Sequence, residues 1–188
     1  MSSEARTRGL SLIELVVFIV VLGIGFGATL VLYNQVVTGS VDPIIRKQVL
    51  AIATSLLEEI ELRGFTYCDP DDANVYTATS ATVGAGGCAT IAESAMGPDV
   101  GETTRALYDN VNDYHGFQML TGIQDIMGIP ISGLAAYKVT SVTVATAGGT
   151  FGLADANDAL LITVTVSGPA GISVSLQGYR FRYAPNSP

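Results

Sequence analysis

The chain opens on a short polar stretch, Met1 to Gly9, and then runs almost without interruption through apolar residues from Leu10 to Leu32, with Glu14 as the one charge in that run. About 20 consecutive apolar residues are enough to cross a bilayer as a helix. A carboxylate inside such a segment costs roughly 2.5–3.5 kcal/mol on insertion scales, so Glu14 is expected to have a task and a partner. The plainer alternative is a signal anchor that merely carries a Glu. Beyond the run the period stays helical. Ile45, Val49, Ile52, Leu56 and Ile60 follow one another at helical spacing and form one stripe, with Arg46, Lys47, Gln48, Glu58, Glu59 and Arg63 supplying the polar remainder. Gly39-Ser40 and Pro43 interrupt the join. Pro43 lacks a backbone donor and crowds the preceding turn, which predicts a kink, and Gly64 reads as the helix stop. A continuous helix from Leu10 to Arg63 would make a rod of about 80 Å at 1.5 Å per residue.

From Phe65 to about Thr104 neither period survives. The segment is rich in Asp, Thr, Ala and Gly and reads as a long irregular connection, with a short strand expected around Val75-Tyr76-Thr77. A dense block follows, Leu107 to Phe117, with carboxylates and amides set around Tyr108 and Tyr114 and a turn expected at Gly116. Period two then takes over. Gly133–Thr146 contains a first strand with Tyr137, Val139, Val142 and Val144, and Gly148-Gly149 turns it. Ala159–Val166 is a second, with Leu160, Ile162, Val164 and Val166 on one face, and Gly168-Pro169-Ala170-Gly171 is a hairpin turn. Ile172–Tyr183 is a third, in which Val174 and Leu176 are followed by Tyr179 and Phe181. That change of parity predicts a bulge or break near Gly178. The predicted fold class is therefore α+β: a long N-terminal helix whose amphipathic half covers the apolar face of an antiparallel β-sheet.

Composition narrows the setting. The 188 residues suffice for one ordinary domain once the apolar segment is set aside, and no repeat or second domain is visible. With 48% hydrophobic and only 14% charged residues, the chain suits a loop-rich, β-rich domain. Its net charge of −8 repels phosphate backbones, so no nucleic-acid partner is expected. Arg6 and Arg8 precede the apolar run and predict a cytoplasmic N-terminus, with everything after about Tyr33 outside the inner membrane. The run ends without a small-residue A-x-A cleavage site, so the segment is expected to be retained. Gly23, Gly25 and Gly27 either permit close helix approach or simply reflect how common glycine is in membrane helices. In an exported domain the two cysteines, Cys68 and Cys88, would close one loop as a disulfide; in a reducing compartment they would be free thiols.

Candidate chemistry is sparse. Asp109, Asn112 and Asp113 are weak calcium candidates, hard oxygen donors at short spacing but not an EF-hand loop, and turn capping competes with that role. Asp69, Asp71 and Asp72 read as a solvated acidic loop. His115, the sole histidine, is expected to be structural. Neither a G-x-S-x-G elbow nor a glycine-rich phosphate loop is present, and the chain is not expected to be an enzyme.

The stretch Arg8-Gly9-Leu10-Ser11-Leu12-Ile13-Glu14-Leu15, followed by an amphipathic helix and an antiparallel sheet, resembles the type IV pilins and the pseudopilins of type II secretion, whose motif is G-F-T-L-I-E. The departures are Leu10 for phenylalanine and Ser11 for threonine. The resemblance covers the whole chain and implies a layout of leader 1–9, membrane and assembly helix 10–35, and globular domain 36–188 that includes an amphipathic helix over 41–63. It implies that a prepilin peptidase cuts between Gly9 and Leu10 and methylates the new amino group, and that Glu14 pairs with the N-terminus of a neighbouring subunit. The implied partners are that peptidase, other major and minor pilins in a helical filament or tip complex, the inner membrane, and the pilus assembly platform. The implied locations are the inner membrane, then the periplasm or a cell-surface pilus. Asp109-Asn110-Val111-Asn112-Asp113-Tyr114-His115-Gly116 is further similar to the D-N-V-D-D-Y-x-G block of D-type minor pilins of the mannose-sensitive haemagglutinin (MSHA) pilus, as are Leu57-Glu58-Glu59-Ile60 and Leu176–Arg182. A minor pseudopilin, an adhesive tip subunit binding ligand through the Cys68–Cys88 loop, and a solitary anchored domain remain open beside it.

Overall fold

The computed structural model describes residues 11–188, and for residues 34–42 the backbone alone. The chain falls into two units, Met1–Ile44 and Ile45–Pro188, and one α-helix, α1 (Leu12–Glu61), contributes to both. In the first unit the stretch Leu12–Tyr33 spans 22 residues with a mean hydropathy of 2.8 and is exposed throughout. At 1.5 Å per residue it is about 33 Å long, close to the ~30 Å hydrocarbon core of a bilayer. By length and composition this helix can span a membrane. Thr29 places no unmet polar group on it, because its hydroxyl donates to the carbonyls of Gly25 (3.0 Å) and Phe26 (2.9 Å) one turn back. The interruption expected at Gly39-Ser40 and Pro43 does not end the element: helical backbone continues through Pro43, which forfeits one donor inside an otherwise intact ladder.

In the second unit α1 supplies Val49, Ala53, Leu56 and Ile60 to the core, with Ile45 and Ile52 packed partly buried beside them. Ala53 replaces Ile52 as the fully buried member of the stripe. The helix ends at Glu61. Gly64, expected as its stop, instead pairs with Asn110 in an isolated bridge, its carbonyl accepting the Val111 N–H at 3.1 Å.

The helix packs in this unit against a three-stranded antiparallel sheet in the order β1 (Lys138–Thr146), β2 (Ala159–Ser167), β3 (Ser173–Phe181). The α+β class is thus observed. Leu160, Ile162, Val164 and Val166 of β2 are all buried, as period two demands. The irregularity predicted near Gly178 is absent: β2 and β3 keep one register from Ala159↔Phe181 to Ser167↔Ser173. Gly178 and Arg180 continue the inward parity of Val174 and Leu176, and a side chain at 178 would collide with the Glu61 carboxylate and meet Leu57 at 3.2 Å. Tyr179 and Phe181 belong to the outer face, where both stack edge-on against Phe151 from the β1–β2 connection. The sheet's bulge lies in β1 instead. Thr140 is the extra residue between Val139↔Val166 and Ser141↔Thr165, and it shifts the inward set from Val139 to Val142 and Val144.

The free edge of β1 is covered by residues 116–119. Val139 and Met119 exchange both backbone bonds at 3.0 Å, and the Gly116 N–H reaches the Val142 carbonyl at 2.9 Å. Residues 62–137 contain no β-strand, and the strand expected at Val75–Thr77 is a turn, with the Val75 N–H on the Asp72 carbonyl at 3.1 Å. Val75 points instead into a small satellite core with Ala78 and the Cys68–Cys88 disulfide, whose Cα atoms lie 5.4 Å apart. Closing a loop of this size contributes about 3 kcal/mol in the chain-entropy account.

This packing fixes an expected asymmetry along α1. Ile60→Ala should cost about 3 kcal/mol through lost burial and the cavity left behind, whereas Leu50→Ala, on the exposed face of the same helix, should stay within about 0.5 kcal/mol. Chemical denaturation of the full chain in detergent micelles reads both.

Candidate functional site

Two regions hold the residues singled out by sequence. The first is the start of α1. Gly9 and Leu10, the expected cleavage and methylation positions, lie outside the described residues. Ser11 precedes the helix and its hydroxyl accepts the Glu14 N–H at 3.3 Å. The pair therefore has S-x-x-E capping-box spacing, and Ser11 satisfies one of the donors that a helix start leaves open. The S-x-x-E spacing is itself a signal legible in the sequence. Glu14 is the one ionisable side chain between Leu12 and Tyr33, and it is exposed in the first turn. A carboxylate suits the positive end of a helix dipole.

The second region is the block 109–116, which proves to be the junction of the second unit. Asn110, Val111, Asn112, Asp113 and Tyr114 are all buried. A turn this polar can be buried only with partners, and these come from distant parts of the chain. Asn110 donates to the Thr66 hydroxyl at 2.7 Å, and Asn112 donates to the Glu93 carboxylate at 2.5 Å and the Ala95 carbonyl at 2.8 Å. Asp113 Oδ2 accepts the N–H groups of Asp109 (3.1 Å) and Asn110 (2.6 Å). The Tyr114 hydroxyl donates to Glu59 Oε1 at 2.8 Å and accepts from Arg63 Nε at 3.2 Å. Arg105 completes that cluster with a two-pronged contact on Glu59 at 2.8 and 2.6 Å. His115 Nδ1 lies 2.9 Å from the Val144 carbonyl and 3.1 Å from the Val144 N–H, which ties the block to β1 in the structural role expected of it.

The acids divide by environment. Burial acts to raise the Glu59 carboxyl, but the bonds from Arg105 and Tyr114 outweigh it and hold the group below its usual range. Asp72 is not part of a solvated loop. It is buried, and despite that burial the backbone N–H groups of Ala89, Asn74, Ile91 and Thr90 hold it well below the usual range. The other acids have the opposite character. Burial and then the Asp69, Glu102 and Asp71 carboxylates push Asp109 up to about 7, against a lowering by Arg63. Burial likewise pushes Asp113 up to about 7, with Glu102 and Asp109 adding to it. Carboxylate oxygens of Glu102, Asp109 and Asp113 lie within 4.8 Å of one another, and Asp69, Asp71 and Asp109 form an adjoining group at the same spacing. Of the calcium candidates, then, Asp109 and Asp113 are brought together, with Glu102 added, while Asn112 is turned to Glu93 and Ala95. Glu59, Glu93, Glu102 and Arg105 were not legible as site residues, because each lies in a segment whose local pattern assigns it no partner.

Beside the junction, Arg182 stacks over Phe65 (4.2 Å to the ring centre) and Tyr67 (5.1 Å), with Asp158 at 3.7 Å. These groups line a polar cavity of about 310 Å³ that also takes in Thr79–Thr82 from the disulfide loop.

No family model, curated protein or solved structure matches this chain.

The Glu59 cluster has a pH signature. A carboxyl held below its ordinary value near 4.5 contributes stability that is present above that value and lost as the pH falls through the folded-state value. Glu59→Gln should lower stability at neutral pH by about 2 kcal/mol, less than for a fully buried pair because both side chains keep some solvent contact. The gap between wild type and variant should close on acidification below about pH 4.5. Parallel denaturation series for the two proteins isolate this carboxylate from the oppositely shifted Asp109 and Asp113.

Proposed function

We propose that this chain is a minor type IV pilin-like subunit, a non-catalytic structural protein that joins or primes a helical filament once a prepilin peptidase has removed residues 1–9 and methylated Leu10. The observation that carries this reading is the position of Glu14: the one charge between Leu12 and Tyr33, in the first turn of a helix long and apolar enough to span a bilayer, on a chain whose remainder is an α+β domain. Cleavage before Leu10 creates a positive amino terminus at the same end of the helix. Each charge alone is expensive in lipid, and pairing Leu10 of one subunit with Glu14 of its neighbour offsets most of that cost while fixing one axial offset between them. Repeated by a heterologous contact that does not close, the pairing builds a filament. The apolar face of Leu12–Tyr33, unburied within the chain, is what neighbouring helices would cover. The block 109–116 and the C-terminal strand favour the D-type minor pilins of the MSHA pilus within this family, on the likeness already given.

A minor pseudopilin of a type II secretion system rests on the same observations, and loss of secretion rather than of surface pili in a deletion strain would assign it there. The adhesive reading has its own support in the cavity between Arg182 and the disulfide loop.

The mature N-terminus tests the proposal directly. Sequencing and mass analysis should find N-methylated Leu10, and a chain that begins at Met1 would favour a solitary anchor. Glu14→Ala should be processed normally but enter filaments with roughly tenfold lower yield or worse, as expected for losing more than about 1.4 kcal/mol per contact. Full incorporation of that variant overturns the pairing.

A further inference from the structure

Asp113 is the most enclosed acid of the junction, with no exposed surface, and its two oxygens are treated very differently. Oδ2 accepts two backbone N–H groups, whereas Oδ1 is buried and has no hydrogen-bond partner. An unpaired buried carboxylate oxygen costs several kcal/mol unless a cation or a proton meets it. Around it stand other carboxylates rather than cations. Glu102 and Asp109 place oxygens within 4.8 Å of the Asp113 carboxylate and of each other, and Asp69 and Asp71 extend the group on the far side of Asp109. The two ion pairs among the described residues, Arg105–Glu59 and Arg182–Asp158, lie elsewhere. Arg63 acts on Asp109 from a distance and forms no ion pair with it.

We propose that Glu102, Asp109 and Asp113 form a calcium site in which Asp113 Oδ1 is a buried ligand. The donors fit that ion. Calcium takes several oxygen ligands in flexible geometry, and three converging carboxylates offer donors of that kind. Magnesium demands near-octahedral placement and dehydrates reluctantly, so it usually keeps several waters rather than entering a cage of protein carboxylates. Zinc is disfavoured by the donors: both cysteines are spent in the disulfide, and His115 is engaged with Val144. Asp109 and Glu102 are half-buried, which leaves an entry path from solvent. The ion would neutralise repulsion that burial intensifies, and would fasten the loop carrying Glu102 to the 109–114 turn. That loop is otherwise tied to the turn by such bonds as the Gly97 N–H on the Asn112 carbonyl at 3.0 Å. The proposal stands on the second unit alone and does not depend on how the N-terminal helix assembles.

The test is thermal unfolding and calorimetric titration of the metal-stripped full chain in detergent micelles, with calcium chloride and magnesium chloride in separate arms. Calcium should raise the melting temperature, with a dissociation constant of about 10⁻³ M or tighter, the range of extracellular calcium modules. Asp113→Asn and Glu102→Gln should each weaken calcium binding by roughly tenfold or more, while Glu58→Gln, an exposed acid outside the group, should leave it unchanged. Glu102 is half-exposed, so its variant keeps the test decisive if Asp113→Asn does not fold. No calcium-dependent shift up to about 10 mM, well above that range, overturns the proposal. So does an equal shift with magnesium, or calcium binding unaltered in Glu102→Gln.

Discussion

The second unit depends on burying a turn that is chemically unsuited to burial. Residues 109–114 carry two acids, two asparagines and a tyrosine, and four of those five polar side chains are fully enclosed. Each enclosed donor or acceptor left without a partner costs on the order of 1–3 kcal/mol, so the turn acts as a set of demands on the rest of the chain. Glu59 answers from the end of α1 and Gly64 from just beyond it, Thr66, Glu93 and Ala95 from the segments flanking the disulfide loop, and Val144 from β1. An apolar plug at the same place would hold the helix and sheet together as firmly but would not specify which loop lies where. The polar turn fixes register, and the apolar stripe of α1 supplies the driving force.

Period alone made much of the fold legible. The helical stripe through Val49, Leu56 and Ile60 and the inward face of β2 follow from side-chain geometry, which any sequence that buries one face must obey. Where the reading failed, a local pattern was overruled by a contact from elsewhere. Tyr179 and Phe181 broke the apparent alternation because the outer face of β3 has its own aromatic cover in Phe151, and Gly178 sits inward because the helix leaves no room there. Thr140 gives no sign of being a bulge, since its own neighbourhood alternates well enough on either side. Val75 resembled a strand residue because it is apolar, but the disulfide provides the core that it fills.

The junction was legible as a place and not as a mechanism. A crowd of acids and amides around Tyr108 and Tyr114 stands out in any reading, yet the side chains that give it meaning lie tens of residues away. Arg105 meets Glu59 across a separation of 46 residues, and Tyr114 meets Glu59 across 55. Nothing in either local segment encodes the encounter. The same limit explains Asp72 and Asp113. Both are acids in loops, but one collects backbone donors from residues 74 and 89–91, while the other is left with a bare oxygen among like charges. A carboxylate surrounded by donors is a structural anchor, and one surrounded by carboxylates needs a cation or a proton.

This contrast bears on why the long irregular region holds its shape. Residues 62–137 have no strand ladder to fix them; Phe65, Val111, Tyr114, Met119, Ile123 and Tyr137 reach the main core, and residues 67–92 have only a small satellite core. Such a segment loses conformational entropy on ordering with less apolar burial per residue than a packed sheet provides. Three kinds of tie add to that burial. The disulfide closes residues 68–88 covalently, Asp72 gathers the backbone of the same loop, and the Glu59–Arg105–Tyr114 cluster fastens the later part to α1. The stretch from Gly97 to Asp109 is held by Arg105 on Glu59, by the Gly97 N–H on the Asn112 carbonyl and by the Asp109 N–H on Asp113. Glu102 approaches Asp113 from the same stretch, so these ties bring together carboxylates whose like charges call for a further ligand.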